Sequence, residues 1–143
     1  MDSNREIITE NAEGTAEVGR QLAGEHPKVV CLYGELGSGK TTFAQGFAKG
    51  LGITRRLLSP TFIIVRRYDL PENSLLYHVD LYRLNSTDEM EKLGLSEMFA
   101  GPDAFVVIEW AERLGDLLPE DRIDIHFSVL DDGKHKITIT KGN

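Results

Sequence analysis

The sequence predicts an α/β fold, a mixed sheet flanked by helices, and three segments carry that expectation. Val29-Val30-Cys31-Leu32-Tyr33 is an apolar, β-branched run that reads as a buried parallel strand. Ala104-Phe105-Val106-Val107-Ile108 is the most continuously apolar run of the chain and reads as a central strand covered on both faces. Ile123–Val129 and Lys136–Thr140 each alternate in polarity around the turn Asp131-Asp132-Gly133, which predicts a C-terminal β-hairpin.

The remaining elements follow in chain order. Thr9 to Ala23 offers a weak helical face through Ala12, Thr15, Ala16, Gly19, Leu22 and Ala23, stopped by Gly24. A second helix brings Phe43, Phe47, Ala48 and Leu51 to one side and is ended by Gly50 and Gly52. Pro60 breaks regularity within Leu57–Thr61, since proline donates no hydrogen bond and pushes Ser59 into an extended conformation. Phe62 to Tyr68 reads as a strand, Pro71–Ser74 as a turn and Leu75–Asp80 as a strand, close enough to pair as a hairpin. Ser86-Thr87-Asp88-Glu89 has the form of a capping box opening a short helix with Met90 and Leu93 turned inward. Leu95 to Phe99 reads as another helix closed by Gly101-Pro102, and Trp110 to Leu117 as a last one.

A chain of 143 residues suits one domain, taken here as 1–143, with 41% hydrophobic and 27% charged residues. No apolar run is long enough to cross a bilayer. Met1–Glu13 is polar and acidic, without the pattern of a secretory signal, so a cytoplasmic protein is expected. The one cysteine, Cys31, falls in a predicted strand and reads as a small buried hydrophobe. Cys and His show no metal-site spacing. The formal charge of −7, from 16 Lys+Arg against 23 Asp+Glu, argues against an independent grip on a phosphate backbone. Arg55-Arg56 and Arg66-Arg67 are the only basic pairs of note.

Chemistry concentrates in Gly34-Glu35-Leu36-Gly37-Ser38-Gly39-Lys40-Thr41-Thr42, which fills every specified position of the phosphate-loop pattern G-x-x-x-x-G-K-[ST]. A strand precedes it and a helix follows, as the chemistry requires. Glycines let backbone N–H groups close around phosphate oxygens, and the helix N-terminus adds partial positive charge. In that pattern Lys40 reaches the β- and γ-phosphates and the Thr41 hydroxyl ligates Mg²⁺. A neighbouring acid is then needed for the metal. Glu109 ends the run Ala104–Ile108, at the carboxyl edge of a central strand where open sheets bind ligands, and is placed in the metal shell. Asp80 ends Leu75–Val79, a strand nearer an edge, and becomes the second acid, orienting the attacking water or one held by magnesium. His78 is left without a role, Trp110 reads as a core aromatic or a shield over the phosphate site, and Ser59 and Thr61 stand where a switch segment would approach a γ-phosphate.

Four segments in this order and spacing resemble one family. Gly34–Thr42, Ser59-Pro60-Thr61-Phe62, His78-Val79-Asp80-Leu81-Tyr82-Arg83-Leu84 and Ile108-Glu109-Trp110 are similar to the TsaE (YjeE) family of bacterial P-loop ATPases, from about the first helix to Pro119. The phosphate loop is common to many families; the second and third segments together are specific. The resemblance implies ATP and Mg²⁺ as cofactors and a role in making threonylcarbamoyladenosine in tRNA. It implies action with TsaB and TsaD, tRNA being reached only through that complex, and no membrane. It assigns Leu36, Gly37, Ser38, Gly39, Lys40 and Thr41 to the phosphates, with Thr42 counted among the nucleotide-binding residues, Thr41 and Glu109 to Mg²⁺, and Asp80 to catalysis. A residue within Thr9–Ala12, taken as Asn11, is set against the nucleotide on the same ground. Glu35 and Ser38 depart from the family's commoner Asp and Ala, keeping charge and size.

No Asn-Lys-x-Asp segment of the guanine-reading kind is present, which favours adenine. A small-molecule kinase and a nucleotide-gated binding module are the competing readings, although the sequence has no Arg-rich lid of the kind many kinases close over their acceptor. Nothing in the sequence clearly resembles a built-in arginine finger, so turnover is expected to be slow alone and strengthened by partners; Arg83 and Arg113 are the only candidates to test.

Overall fold

The structure, a computed structural model, describes residues 4–35, 37–54, 65–83 and 94–142. Its strands are β1 (Arg5–Thr9), β2 (Val29–Tyr33), β3 (Val65–Asp69), β4 (Leu75–Asp80), β5 (Ala104–Glu109), β6 (Ile123–Val129) and β7 (His135–Lys141). Its helices are α1 (Ala12–Ala23), α2 (Lys40–Leu51) and α3 (Leu95–Ala100). One sheet holds all of these strands, in the order β1-β7-β6-β2-β5-β4-β3. The middle of the sheet is parallel: β2 pairs with β5 and with β6, and β4 with β5. Both margins are antiparallel, through β3–β4 on one side and β6–β7–β1 on the other. The expected mixed sheet, α/β class and C-terminal hairpin are all present.

Side-chain alternation divides the core into two layers. Val30 and Leu32 of β2 face α1 and α2, where Phe43, Phe47, Leu22, Ile125 and Ile137 pack. Val29 and Cys31 point the other way, into a layer with Val79, Ile108 and Leu95 of α3. A parallel strand buried on both faces must be apolar throughout, which is why β2 and β5 read as continuous hydrophobic runs. The same parity governs the polar residues. On β4 Leu76 belongs to the α2 layer, so His78 and Asp80 face α2 as well; on β5 Val107 does, and so does Glu109.

Several expectations are corrected. β1 was not anticipated, because a polar edge strand has no hydrophobic signature; its pairing with β7, Ile7 opposite Ile137, forms it. The first helix starts at Ala12 rather than Thr9, since the Asn11 side chain accepts from the Gly14 N–H and caps it. Gly50 lies inside α2, and Gly52 at φ 111° is the cap. Trp110–Leu117 is not one helix but two 3-10 turns, Ala111–Arg113 and Gly115–Leu117. Trp110 and Gly115 both have positive φ, so the stretch is too short between breaks to nucleate an α-helix. The capping box at 86–89, Met90, Leu93, the Ser59–Phe62 segment and Arg55-Arg56 lie outside the described residues.

Candidate functional site

The loop after β2 delivers its glycines in conformations other residues avoid: φ is 79° at Gly37 and 110° at Gly39, which directly precedes α2. The first turn of α2 contains no acidic residue, leaving its N-terminal field uncompensated. Lys40 opens the helix and is only 4% exposed. Its Nζ has no hydrogen-bond partner among the described residues and lies 3.6 Å from the centroid of the Trp110 ring. The Ser38 hydroxyl is buried too, with no hydrogen-bond partner among the described residues. A buried ammonium is costly unless an anion compensates it, so this cradle fits an anionic group such as a triphosphate.

Thr41 and Glu109 are brought together as the sequence predicts. The Thr41 hydroxyl donates to Glu109 Oε1 at 3.0 Å. Glu109 is 3% exposed, and its other oxygen, Oε2, lies 2.6 Å from Nε2 of His78. Burial, the largest influence, pushes the Glu109 carboxyl up, but His78, Thr41 and Lys40 together hold it below its ordinary value. It is therefore a carboxylate, and His78 donates to it. Asp80 is the register partner of Glu109 across β4 and β5. Burial raises the Asp80 carboxyl, opposed by the Tyr82 N–H it accepts at 2.9 Å and reinforced by Glu109. Lys40 is lowered by burial, against the pull of Glu109, Glu112 and Asp80. Among the described residues no group of three or more His, Cys, Asp or Glu could hold a metal by itself. The hydroxyl and carboxylate of Thr41 and Glu109 are hard oxygen donors that suit magnesium, which commonly takes few protein ligands beside phosphates and water.

Other predicted residues are placed less directly. Thr42 is half-buried on α2, and Leu36 is outside the described residues. Asn11 is exposed, with its side-chain oxygen engaged in capping; one turn on, Thr15 approaches the loop, where a Cβ on Gly39 would meet its methyl at 3.4 Å. Arg83 and Arg113 are exposed, the first just past β4 and the second in a 3-10 turn. Cys31 is fully buried and its thiol is pushed up to about 12 by burial, the inert hydrophobe expected. Two histidines received no role from the sequence. His78 is one. The other is His135 of β7, whose Nδ1 donates to the Ser38 carbonyl at 2.8 Å and ties the C-terminal hairpin to the phosphate loop. Neither carries a periodicity signal; only a contact distant in sequence reveals it. Trp110, with φ 62°, presents its ring to Lys40 and, at 5.0 Å, to Tyr82.

The family model described as "Threonylcarbamoyl adenosine biosynthesis protein TsaE" matches residues 9–137. The tRNA threonylcarbamoyladenosine biosynthesis protein TsaE of Bacillus subtilis is 42% identical over 137 residues, covering 92% of this chain and 82% of that protein. Its namesake in Treponema pallidum is 40% identical over 136 residues, covering 92% and 97%. The crystal structure of Bacillus subtilis YdiB superposes with a TM-score of 0.82 at 34% identity, over 100% of this chain and 88% of that one.

Proposed function

The chain belongs to the TsaE family, and from that premise we propose that it binds and hydrolyses ATP with Mg²⁺, acting with TsaB and TsaD homologues to sustain formation of N6-threonylcarbamoyladenosine in tRNA. The observation that carries this reading is the Thr41–Glu109 hydrogen bond beside a buried Lys40 that has no hydrogen-bond partner among the described residues, at the mouth of a glycine loop. Loop N–H groups and Lys40 bind the phosphate oxygens. Thr41 and Glu109 hold the cation. A magnesium ion held there would offset the negative charge that builds on the phosphate oxygens during transfer. Asp80, in register with Glu109 at the strand tips, orients the attacking water and takes its proton as the new P–O bond forms and the bond to ADP breaks. Asn11, Leu36 and Thr42 complete the nucleotide contacts in this reading.

Turnover alone is slow in this reading and is raised by the partners. The formal charge of −7 supports contact with tRNA only through the complex. The test is reconstitution of purified protein with TsaB, TsaD, threonylcarbamoyl-adenylate and tRNA. Repeated rounds of product should require ATP and should stop with Glu109→Ala. Persistence of hydrolysis in that variant would remove Glu109 from the catalytic machinery, product formation that needs ATP bound but not hydrolysed would reduce the protein to a nucleotide-gated binding module, and transfer of the γ-phosphate to a small metabolite would make it a kinase. A nucleotide panel read by Trp110 fluorescence should favour ATP over GTP.

A further inference from the structure

His78 is fully buried on the α2 face of β4, between the core residue Leu76 and the catalytic candidate Asp80. A side chain there meets a hydrophobic layer, and an imidazole is a poor occupant unless its polar atoms are satisfied. Only Nε2 is: it donates to Glu109 Oε2 at 2.6 Å, while Nδ1 is buried with no partner among the described residues. The bond spans two strands and is diagonal, since His78 lies opposite Val107 and Asp80 opposite Glu109. Glu109 is thereby held at both oxygens, one by Thr41 from α2 and one by His78 from β4. With Oε2 fixed, rotation of the carboxylate is stopped and Oε1 is kept aimed at the Thr41 hydroxyl.

We propose that His78 is a positioning residue for the metal acid: it locks the Glu109 carboxylate in the orientation that Thr41 and Glu109 need to take up a divalent cation together. This rests on the reading of the site as an Mg²⁺–ATP site. Partners that orient a ligating carboxylate commonly carry about 10–100-fold in metal affinity or activity. A group serving only the core would carry none of that.

The test compares wild type, His78→Leu, which fills the volume without a donor, and His78→Gln, whose amide nitrogen can replace Nε2. ATP binding is measured in excess EDTA and again across an Mg²⁺ titration, and hydrolysis is followed with the partner proteins. Metal-free ATP affinity should stay within about 2-fold in all three chains. His78→Leu should need at least about 10-fold more Mg²⁺ for half-saturation, with His78→Gln recovering most of that. In a Glu109→Gln background the His78→Leu effect on Mg²⁺ should vanish. An unchanged Mg²⁺ requirement in His78→Leu overturns the assignment, as does loss of metal-free ATP binding, or a His78→Gln no better than His78→Leu. If His78→Leu does not fold by circular dichroism, His78→Asn, polar but too short to reach Glu109, replaces it in the same titration under the same criteria. A wild-type protein that binds no ATP would instead overturn the proposed function, an outcome separate from any difference among His78 variants.

Discussion

Lys40 sits in surroundings that suit a neighbouring anion better than a bare ammonium. Its ammonium is buried over the Trp110 ring, and the surrounding acids only partly offset the desolvation that lowers its pKa. Replacing it with an isosteric hydrophobe should therefore separate stability from function. Lys40→Met is expected to raise the melting temperature of the nucleotide-free protein while weakening ATP binding about 10- to 100-fold, the scale of one charge-assisted hydrogen bond. Thermal unfolding with and without ATP measures both; a lowered apo melting temperature would mean that the Trp110 contact outweighs the burial. Asp80 gives the matching pH statement. Its carboxyl is raised from 3.8 by burial, so as pH falls it takes up its proton, and ceases to be a base, earlier than an exposed aspartate does. Hydrolysis in the presence of partners should thus decline on acidification before the ordinary Asp range is reached. A rate that stays flat into that range would remove Asp80 as the proton acceptor.

At the scale of elements, the position of the phosphate-loop helix depends on how closely α1 and α2 approach. A Cβ on Gly46 of α2 would overlap the Ala16 carbonyl of α1, and one on Gly19 would overlap the Phe43 carbonyl. Gly46→Ala should push the helices apart and cost about 1–3 kcal/mol, read by urea unfolding, with weaker ATP binding because Lys40 and Thr41 ride on the displaced helix. The hairpin acts on the loop from the other side. His135→Ala removes the donor to Ser38 and should weaken ATP binding about 3- to 10-fold, the worth of one ordinary hydrogen bond, with the fold intact. An unchanged affinity would show that the loop keeps its shape without that tie. These two supports also mark where the sequence was legible. Val29–Tyr33, Gly34–Thr42 and Ala104–Glu109 are local patterns, and a strand end next to a glycine loop is enough to find Glu109. The small residues at the α1–α2 crossing carry no hydrophobic signal, and β1 exists through its ladder with β7. His78 and His135 acquire meaning only when strands far apart in sequence are set side by side.

For the whole molecule, the strand order places β2 between β5 and β6, so the loop and Glu109 emerge together where the parallel strands end. The strand beneath that site is buried from Val29 to Leu32, and Cys31 at its centre reports on it. Cys31 is fully buried, so native labelling of its thiol by a disulfide reagent near pH 8 should proceed only through opening of the sheet. Its rate, followed against urea, should track global unfolding rather than loop motion. The same burial fixes an alkaline dependence. The folded thiol titrates near 12 against 9 ordinarily, so this group's contribution to stability is complete below 9 and is lost as pH climbs toward 12, because only the unfolded chain releases the proton. Between about pH 9.5 and 11 the wild type should lose ~1.4 kcal/mol per pH unit relative to Cys31→Ala. The raised phenol of Tyr33 acts in both chains and largely cancels from that difference. Parallel stability curves for the two proteins over this window, or thiol labelling as fast in native buffer as in urea, would show that the central strand opens without the rest of the fold. The site above it would then stand on a mobile base.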